Sequence, residues 1–231
     1  MQLKVLQDKL PPFPRSVAMC MIKDELDVPV ESLFSEFSEP VAAASIAQVH
    51  RARLAETGQE VAVKVLRPKI ERDFRRDIDA FYFAASMIEL LSPASRRLRP
   101  TDVITHFEGV VLGELDLRLE SSAAAEFAAN TAQDAGFQVP KIQWFLSGRR
   151  VMTLDWAKGL SANDIAGIEA AGYDRRDLGE RVLRLFLQHA LRDGYFHADM
   201  HQGNLKIGPN GDIVALDFGI MGRLDEYTRR V

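Results

Sequence analysis

Three polar residues late in the chain have types and spacing suited to chemistry. Asp199 stands five residues before Asn204, and thirteen residues after that asparagine comes Asp217, followed by Phe218 and Gly219. The amide and the second carboxylate can offer hard oxygen ligands to magnesium. The first carboxylate can accept or orient the proton of an attacking hydroxyl, and together they suit phosphoryl transfer from a triphosphate. His197 and His201 stand four apart, which raises zinc as a rival for this segment. Gly203 and Asn204 oppose a continuing helix there and no cysteine pair exists, so His197 is expected to brace the loop by packing and hydrogen bonding.

Phosphoryl transfer also needs a cation over the phosphates. Lys64 closes the run Val61-Ala-Val-Lys64. On a strand, Val61, Val63 and Val65 share one face and Ala62 and Lys64 the other, where the small Ala62 leaves room for a flat base. A lysine on an amphipathic strand is often only solvated, but this one has a place over a nucleotide if a carboxylate holds it. Glu120 is the candidate, although spacing alone leaves Glu114 and Asp116 open. The phosphate loop should join the first two strands, where the sequence has no glycine-rich turn but Ala42-Ala-Ala-Ser-Ile-Ala-Gln-Val-His50. Composition alone would read that stretch as buried small-residue packing. Alanines can still admit phosphates to backbone N–H groups, with less freedom than glycines give.

The elements that must position these residues follow from periodicity. Leu10–Pro14 is stiff punctuation after a short N-terminal turn, and Ser16–Leu26 reads as a helix with Val17, Met21 and Ile22 on one face and Cys20 as a small core residue. Segments 47–54 and 60–66 both alternate around Thr57-Gly58, which predicts a β-hairpin. Ile70–Leu91 reads as a helix. Asp102 to Thr131 reads as two helical pieces meeting near Gly109 or Gly113. A second hairpin is expected from 141–145 and 149–155, then a loop containing Gly167 and Gly172, a long helix over Asp177–Tyr195, and a short hairpin around Pro209-Asn-Gly211. A small sheet packed with helices, followed by a helix and a loop segment, gives an α+β two-lobed architecture. The divisions fall at 1–36, a helical extension; 37–155, an N-lobe with inserted helices; and 156–231, a partial C-lobe.

Composition narrows the classes. Twenty-nine basic against 33 acidic residues leave a net charge of -4, which gives no support to nucleic-acid binding. One cysteine excludes an intrachain disulfide and suits a reducing compartment. No run approaches the length of a membrane span and the start does not read as a secretory signal. A cytoplasmic protein, soluble or membrane-peripheral, is expected.

The alanine-rich stretch, Val61-Ala-Val-Lys64, Glu114-Leu-Asp116 and His197–Asn204 together resemble the UbiB/ADCK (AarF-domain) family of atypical protein-kinase-like proteins, over about Leu6 to Met221. The resemblance implies a protein-kinase-like fold with a small antiparallel-sheet N-lobe. It further implies Mg2+ with ATP or ADP as ligands, and ATPase or small-molecule phosphoryl transfer linked to ubiquinone or prenyl-lipid biosynthesis, with a protein of that pathway or a prenyl lipid as partner. By motif it makes Asp199, Lys64 and Glu120 catalytic, Asn204 and Asp217 metal ligands, and Glu114 and Asp116 the family's Glu-x-Asp pair. Nucleotide contacts fall to Ala42, Ala43, Ala44, Ser45, Ile46, Ala47, Val49, Ala62 and Lys64. A hinge over Val151–Gly159 adds Met152 at the back of the pocket, Asp155 and Trp156.

Departures from the family pattern accompany it. Met200 and Gln202 replace two prolines of the catalytic loop, and Ala123 stands where a helix asparagine is usual. The family's Lys-x-Gly-Gln motif would precede Leu6, and its further C-lobe and any membrane helices would follow Asp217. The chain is therefore expected to be the core of a family member, truncated at both ends. Its C-lobe would leave Leu183, Leu187 and Leu191 exposed for a covering partner. A non-catalytic nucleotide-binding or scaffold module is the alternative reading, and a fragment that does not fold stably is a third.

Overall fold

A computed structural model describes residues 11–230, so the N-terminal turn expected before Pro11 lies outside the described residues. The helix α1 (Arg15–Leu26) and the turn-length α2 (Val30–Leu33) lead into a four-stranded antiparallel sheet of order β1 (Phe34–Ala43), β2 (Ala47–Leu54), β3 (Glu60–Leu66) and β5 (Val151–Asp155). The alternation of β3 works as read. Val61, Val63 and Val65 are fully buried against Phe13, Ala18, Ile22, Phe34 and Phe37, while Ala62 and Lys64 turn to the other face. Ala18 and Ile22, rather than Val17 and Met21, form the buried seam of α1, and this rotation leaves Cys20 exposed instead of in the core.

The helices α3 (Ile70–Leu91) and α4 (Pro100–Glu114) form a hairpin inserted after β3 and packed through Ile78, Val111 and Leu115. Helix α5 (Leu117–Asn130) follows. The break comes at Leu115-Asp116, past both glycines, because Leu115 and Leu117 are both buried and Asp116 caps α5, accepting from the Arg118 N–H at 3.1 Å. Segment 141–145 is not a strand. It makes one bridge, Ile142 to Leu154, and then coils into a 3-10 turn over Trp144–Leu146. The Gln143 N–H still donates to the Thr153 carbonyl and the Asp155 N–H to the Lys141 carbonyl, but the Thr153 hydroxyl donates to the Leu146 carbonyl and the Thr153 N–H to Ser147 Oγ, so side-chain bonds interrupt the ladder beyond the bridge.

The second half is built on a sheet of order β4 (Phe137–Gln138), β9 (Ile213–Ala215), β8 (Leu205–Ile207) and β6 (Leu160–Ser161). The expected loop with Gly167 contains a short α6 (Ile165–Ala170). Helix α7 (Arg175–Gln188) starts two residues earlier than read, capped by Asp174, and stops at Gln188, where a π turn over His189–Asp193 takes over. That wide turn brings His189 and Arg192 onto the buried Asp134, at 3.0 and 2.6 Å, and Gly194 ends it at φ +65°. Strand β7 (Tyr195–His197) pairs with β10 (Met221–Arg223). One core spans both halves around Phe127, ringed by Phe137, His189, Tyr195 and Phe218 at centroid distances of 5.0–6.3 Å. Leu183, Leu187 and Leu191 lie exposed along α7 and its π turn.

Two buried histidines carry a stability consequence. His50 donates from Nδ1 to the Ser38 carbonyl and accepts at Nε2 from Gln48, whose amide also clasps both backbone polar groups of Phe13. This arrangement demands a neutral ring, and burial holds the pKa of His50 below its ordinary value. Burial lowers that of His189 too, against the pull of Asp134. The unfolded chain therefore binds more protons below about pH 6.5, so stability is full above that value and is lost as pH falls through the folded-state pKa values. Urea midpoints should fall between pH 7.5 and 5.5, and a midpoint that held or rose on acidification would contradict this account.

Candidate active site

The face of the first sheet opposite the valines roofs a cleft of about 570 Å3. The register aligns Val49, Lys64 and Met152 across three strands, and Ala62 with Leu154. Ala47, Val49, Ala62 and Lys64 line the cleft, as do Ala42, Ala43 and Ala44 at the end of the β1–β2 hairpin. No residue from Ala42 to Ala47 takes a positive φ, so the turn forms without glycine. It is closed by the Ala44 N–H on the Ala47 carbonyl and by Arg67, which donates to the Ala44 carbonyl. Ser45 and Ile46, at the tip, do not reach the cleft lining, and Met152 lies behind Lys64 in the core, fully buried.

At one end of the cleft lies its charge centre. Lys64 Nζ is 2.7 and 2.8 Å from the two Glu120 oxygens and 3.4 Å from Asp217 Oδ2. Burial alone would drive the Lys64 ammonium toward losing its proton, but Glu120 and Asp217 outweigh that and hold its pKa up. Burial pushes the Glu120 carboxyl up, with Lys64 opposing, so its charge depends on the lysine. Burial also works against the Asp217 carboxylate, yet Lys64 and the Gly219 N–H keep its pKa below the usual range. Glu120 is thus the carboxylate that reaches Lys64 among the three left open. Glu114 is exposed at the end of α4, and Asp116 is engaged by its own cap and by Arg118. Neither enters the cleft.

The loop beneath is fixed by side-chain bonds within it. Asn204 Nδ2 donates to the Asp199 carbonyl at 3.1 Å and to Asp199 Oδ2 at 3.2 Å, and its amide oxygen has no hydrogen-bond partner among the described residues. Asp199 is 44% exposed and sits just outside the cleft lining that Asn204 and Asp217 share. The two histidines diverge. Buried His197 accepts the Asp199 N–H at Nδ1, and exposed His201 accepts the Gly203 N–H at 2.9 Å. Burial depresses the His197 pKa. An ionised carboxylate and a free amide oxygen facing one cleft are hard donors of the kind magnesium accepts, so Asn204 and Asp217 fit that ion.

The opposite end mixes apolar and charged residues. Leu154, Asp155, Trp156 and Ala157 line it from the end of β5, with Leu205, Lys206 and Leu216 opposite. Asp155 accepts from Gln59 and Gln143 at its Oδ1, and the Trp156 N–H is spent on the Glu60 carbonyl. Sequence reasoning missed Lys206 and Leu216. The signal for Lys206 was a lone cation between two apolar residues of a short strand, Leu205-Lys206-Ile207, where alternation turns it away from the core.

The chain matches the ABC1 atypical kinase-like domain over residues 5–231. It is 40% identical to "Probable protein kinase UbiB" of Shewanella baltica over 99% of this chain and 43% of that protein. It is 38% identical to the protein of the same name from Marinobacter nauticus, over 96% of this chain and 41% of that one. The chain thus spans less than half the length of these relatives. Among solved structures, the complex of Rv3197 with erythromycin from Mycobacterium tuberculosis superposes with a TM-score of 0.75 at 31% identity, covering 92% of this chain and 53% of that one. Fold and relatives agree, and the chain belongs to the UbiB family of ABC1 atypical kinase-like proteins.

Proposed function

We propose that the cleft binds a magnesium-complexed nucleotide, ATP or ADP, and that the chain is the core of an atypical kinase or ATPase. The observation that carries this reading is Lys64, clamped between Glu120 and Asp217 at one end of a cleft whose lining also includes Ala62, Leu154, Trp156 and Leu216. In this reading Lys64 pairs with phosphate oxygens, held on its strand by Glu120. The short alanine turn offers backbone N–H groups to the phosphates without the looseness of glycine. Asn204 and Asp217 hold Mg2+, which when bound neutralises charge on the phosphates. Asp199, half-exposed and fixed by Asn204, orients the acceptor hydroxyl or a water and takes its proton. The family resemblance supplies the proposed setting, ubiquinone or prenyl-lipid biosynthesis, with a lipid or a protein of that pathway as acceptor or partner.

Thermal melts with Mg-ATP and Mg-ADP, run beside turnover, test the reading. The melting temperature should rise saturably with nucleotide, and the rise should vanish in Lys64→Ala and Asp217→Ala. Asp199→Asn should keep the shift and lower turnover by about 100-fold or more. Turnover unchanged in both Asp199→Asn and Asp217→Ala would sink the mechanism. A shift with no turnover in any variant would favour the non-catalytic module, for which the replacements Met200 and Gln202 are the motivating residues.

The buried pair has its own signature, independent of activity. Lys64→Met leaves Glu120 buried beside Asp217 without its cation and should cost about 3 kcal/mol in urea unfolding, whereas Lys64→Met with Glu120→Leu should recover much of that loss. Strictly additive effects of the two changes would show that the pair is not coupled.

A further inference from the structure

Beside Asp199 stands a polar side chain that the proposed chemistry leaves unused, the exposed His201. Its Nδ1 accepts the Gly203 N–H at 2.9 Å, so that nitrogen carries no proton and the neutral ring holds its proton on Nε2. The ring sits close over bare backbone, since a Cβ on Gly203 would come within 2.7 Å of Cε1 and 2.9 Å of Nδ1. Nε2 then lies 3.6 Å from Asp199 Oδ2, too far for a direct hydrogen bond. No other group bonds to Nε2 among the described residues. The bland account is a surface histidine in weak contact with a carboxylate through solvent. It does not account for the backbone bond that fixes the tautomer or for the glycine that seats the ring.

An N–H donor and a carboxylate at this separation suit one kind of acceptor. A single oxygen about 2.8 Å from each closes a triangle whose third side is the 3.6 Å observed. That oxygen must give a proton to Asp199 and accept the Nε2–H. A hydroxyl or a water does both, whereas an ammonium has only donors and a carboxylate only acceptors.

We propose that His201 binds the phosphoryl acceptor, its Nε2–H holding the attacking oxygen against Asp199, so that alcohols and water are the acceptor class of the site. This rests on the nucleotide reading above and deepens it at the acceptor. In the transfer the acceptor oxygen bonds to the terminal phosphorus, the bond from that phosphorus to the departing ADP oxygen breaks, and the acceptor's proton passes to Asp199. His201 keeps its own proton throughout.

Proton–nitrogen correlation spectra of the histidine rings test the tautomer in the whole chain without nucleotide. The proton should sit on Nε2, and a proton on Nδ1 overturns the proposal. Turnover tests the role, with water as the acceptor and Mg-ATP affinity measured beside it by titration calorimetry. In His201→Phe, which keeps a ring and lacks the donor, kcat should fall about tenfold while the dissociation constant stays within about twofold of wild type. His201→Gln, which returns an N–H donor at similar reach, should recover most of that loss. Equal losses in both variants would mean that the ring only packs, and a matching loss of Mg-ATP affinity would move His201 to the phosphates. Either overturns the proposal, as does unchanged turnover in His201→Phe. Nucleotide binding without turnover in wild type also overturns it and leaves the nucleotide site standing. Absence of nucleotide binding by folded wild type overturns both readings.

Discussion

The fold depends on bringing one ammonium and one carboxylate out of water together. Lys64 comes from a central strand and Glu120 from a helix 56 residues later, and each is largely buried. Either charge alone in that position would cost several kcal/mol, so the strand and α5 are constrained to meet in one register. Helix α5 in turn carries Phe127 into the core shared by both halves. The phosphate-end chemistry and the packing of the molecule therefore share a support. Asp217 joins from the far side of the cleft at a longer distance and with more exposure. It is the member of the cluster freest to exchange the lysine for another cation.

The alanine-rich stretch divides into two parts with different physical tasks. Its alanines line the cleft, and its Gln48 and His50 point away, into a buried network that ties Phe13 and Ser38 to β2. The alternation of a strand makes this division compulsory, since neighbours on β2 face opposite sides. The roof of the cleft is thus fixed from behind by a neutral histidine. Its polar groups are satisfied within the protein, which is the condition for burying them at all.

Much of this was readable from residue patterns, and the failures share causes. The hairpin 47–54 and 60–66 and the helix 70–91 were legible because long runs repeat one period. The two-residue strands β4 and β6 were not, because a strand that short has no period and its partner lies tens of residues away. Segment 141–145 has strand-like residues, but Ser147 and Thr153 side chains compete for the backbone groups a hairpin would use. Cys20 is small and apolar, yet a rotation of α1 by about one residue exposes it. At the site, residue types and order pointed to Lys64, Asn204 and Asp217, which the fold brings to one cleft. The choice of Glu120 over Glu114 and Asp116 needed the helix break at Leu115-Asp116, which only packing decides. Met152 shows the opposite limit: its register opposite Lys64 is right for the back of the pocket, but the core takes it completely.

The two ends of the cleft are held in different ways. Gly159 adopts φ +123° so close to β8 that a Cβ would collide with the Ile207 carbonyl. The hinge and β8 are thereby pressed backbone to backbone, and Lys206, on that strand, reaches the Ala157 carbonyl across the short gap. This end is set by steric contact, which changes little with bound charge. The phosphate end is set by a balance among Lys64, Glu120 and Asp217, which any incoming anion or cation must alter. A ligand entering the cleft would meet a nearly fixed recognition surface at one end and a responsive one at the other. Conformational response to binding should therefore begin on α5 and at Asp217 rather than at the hinge.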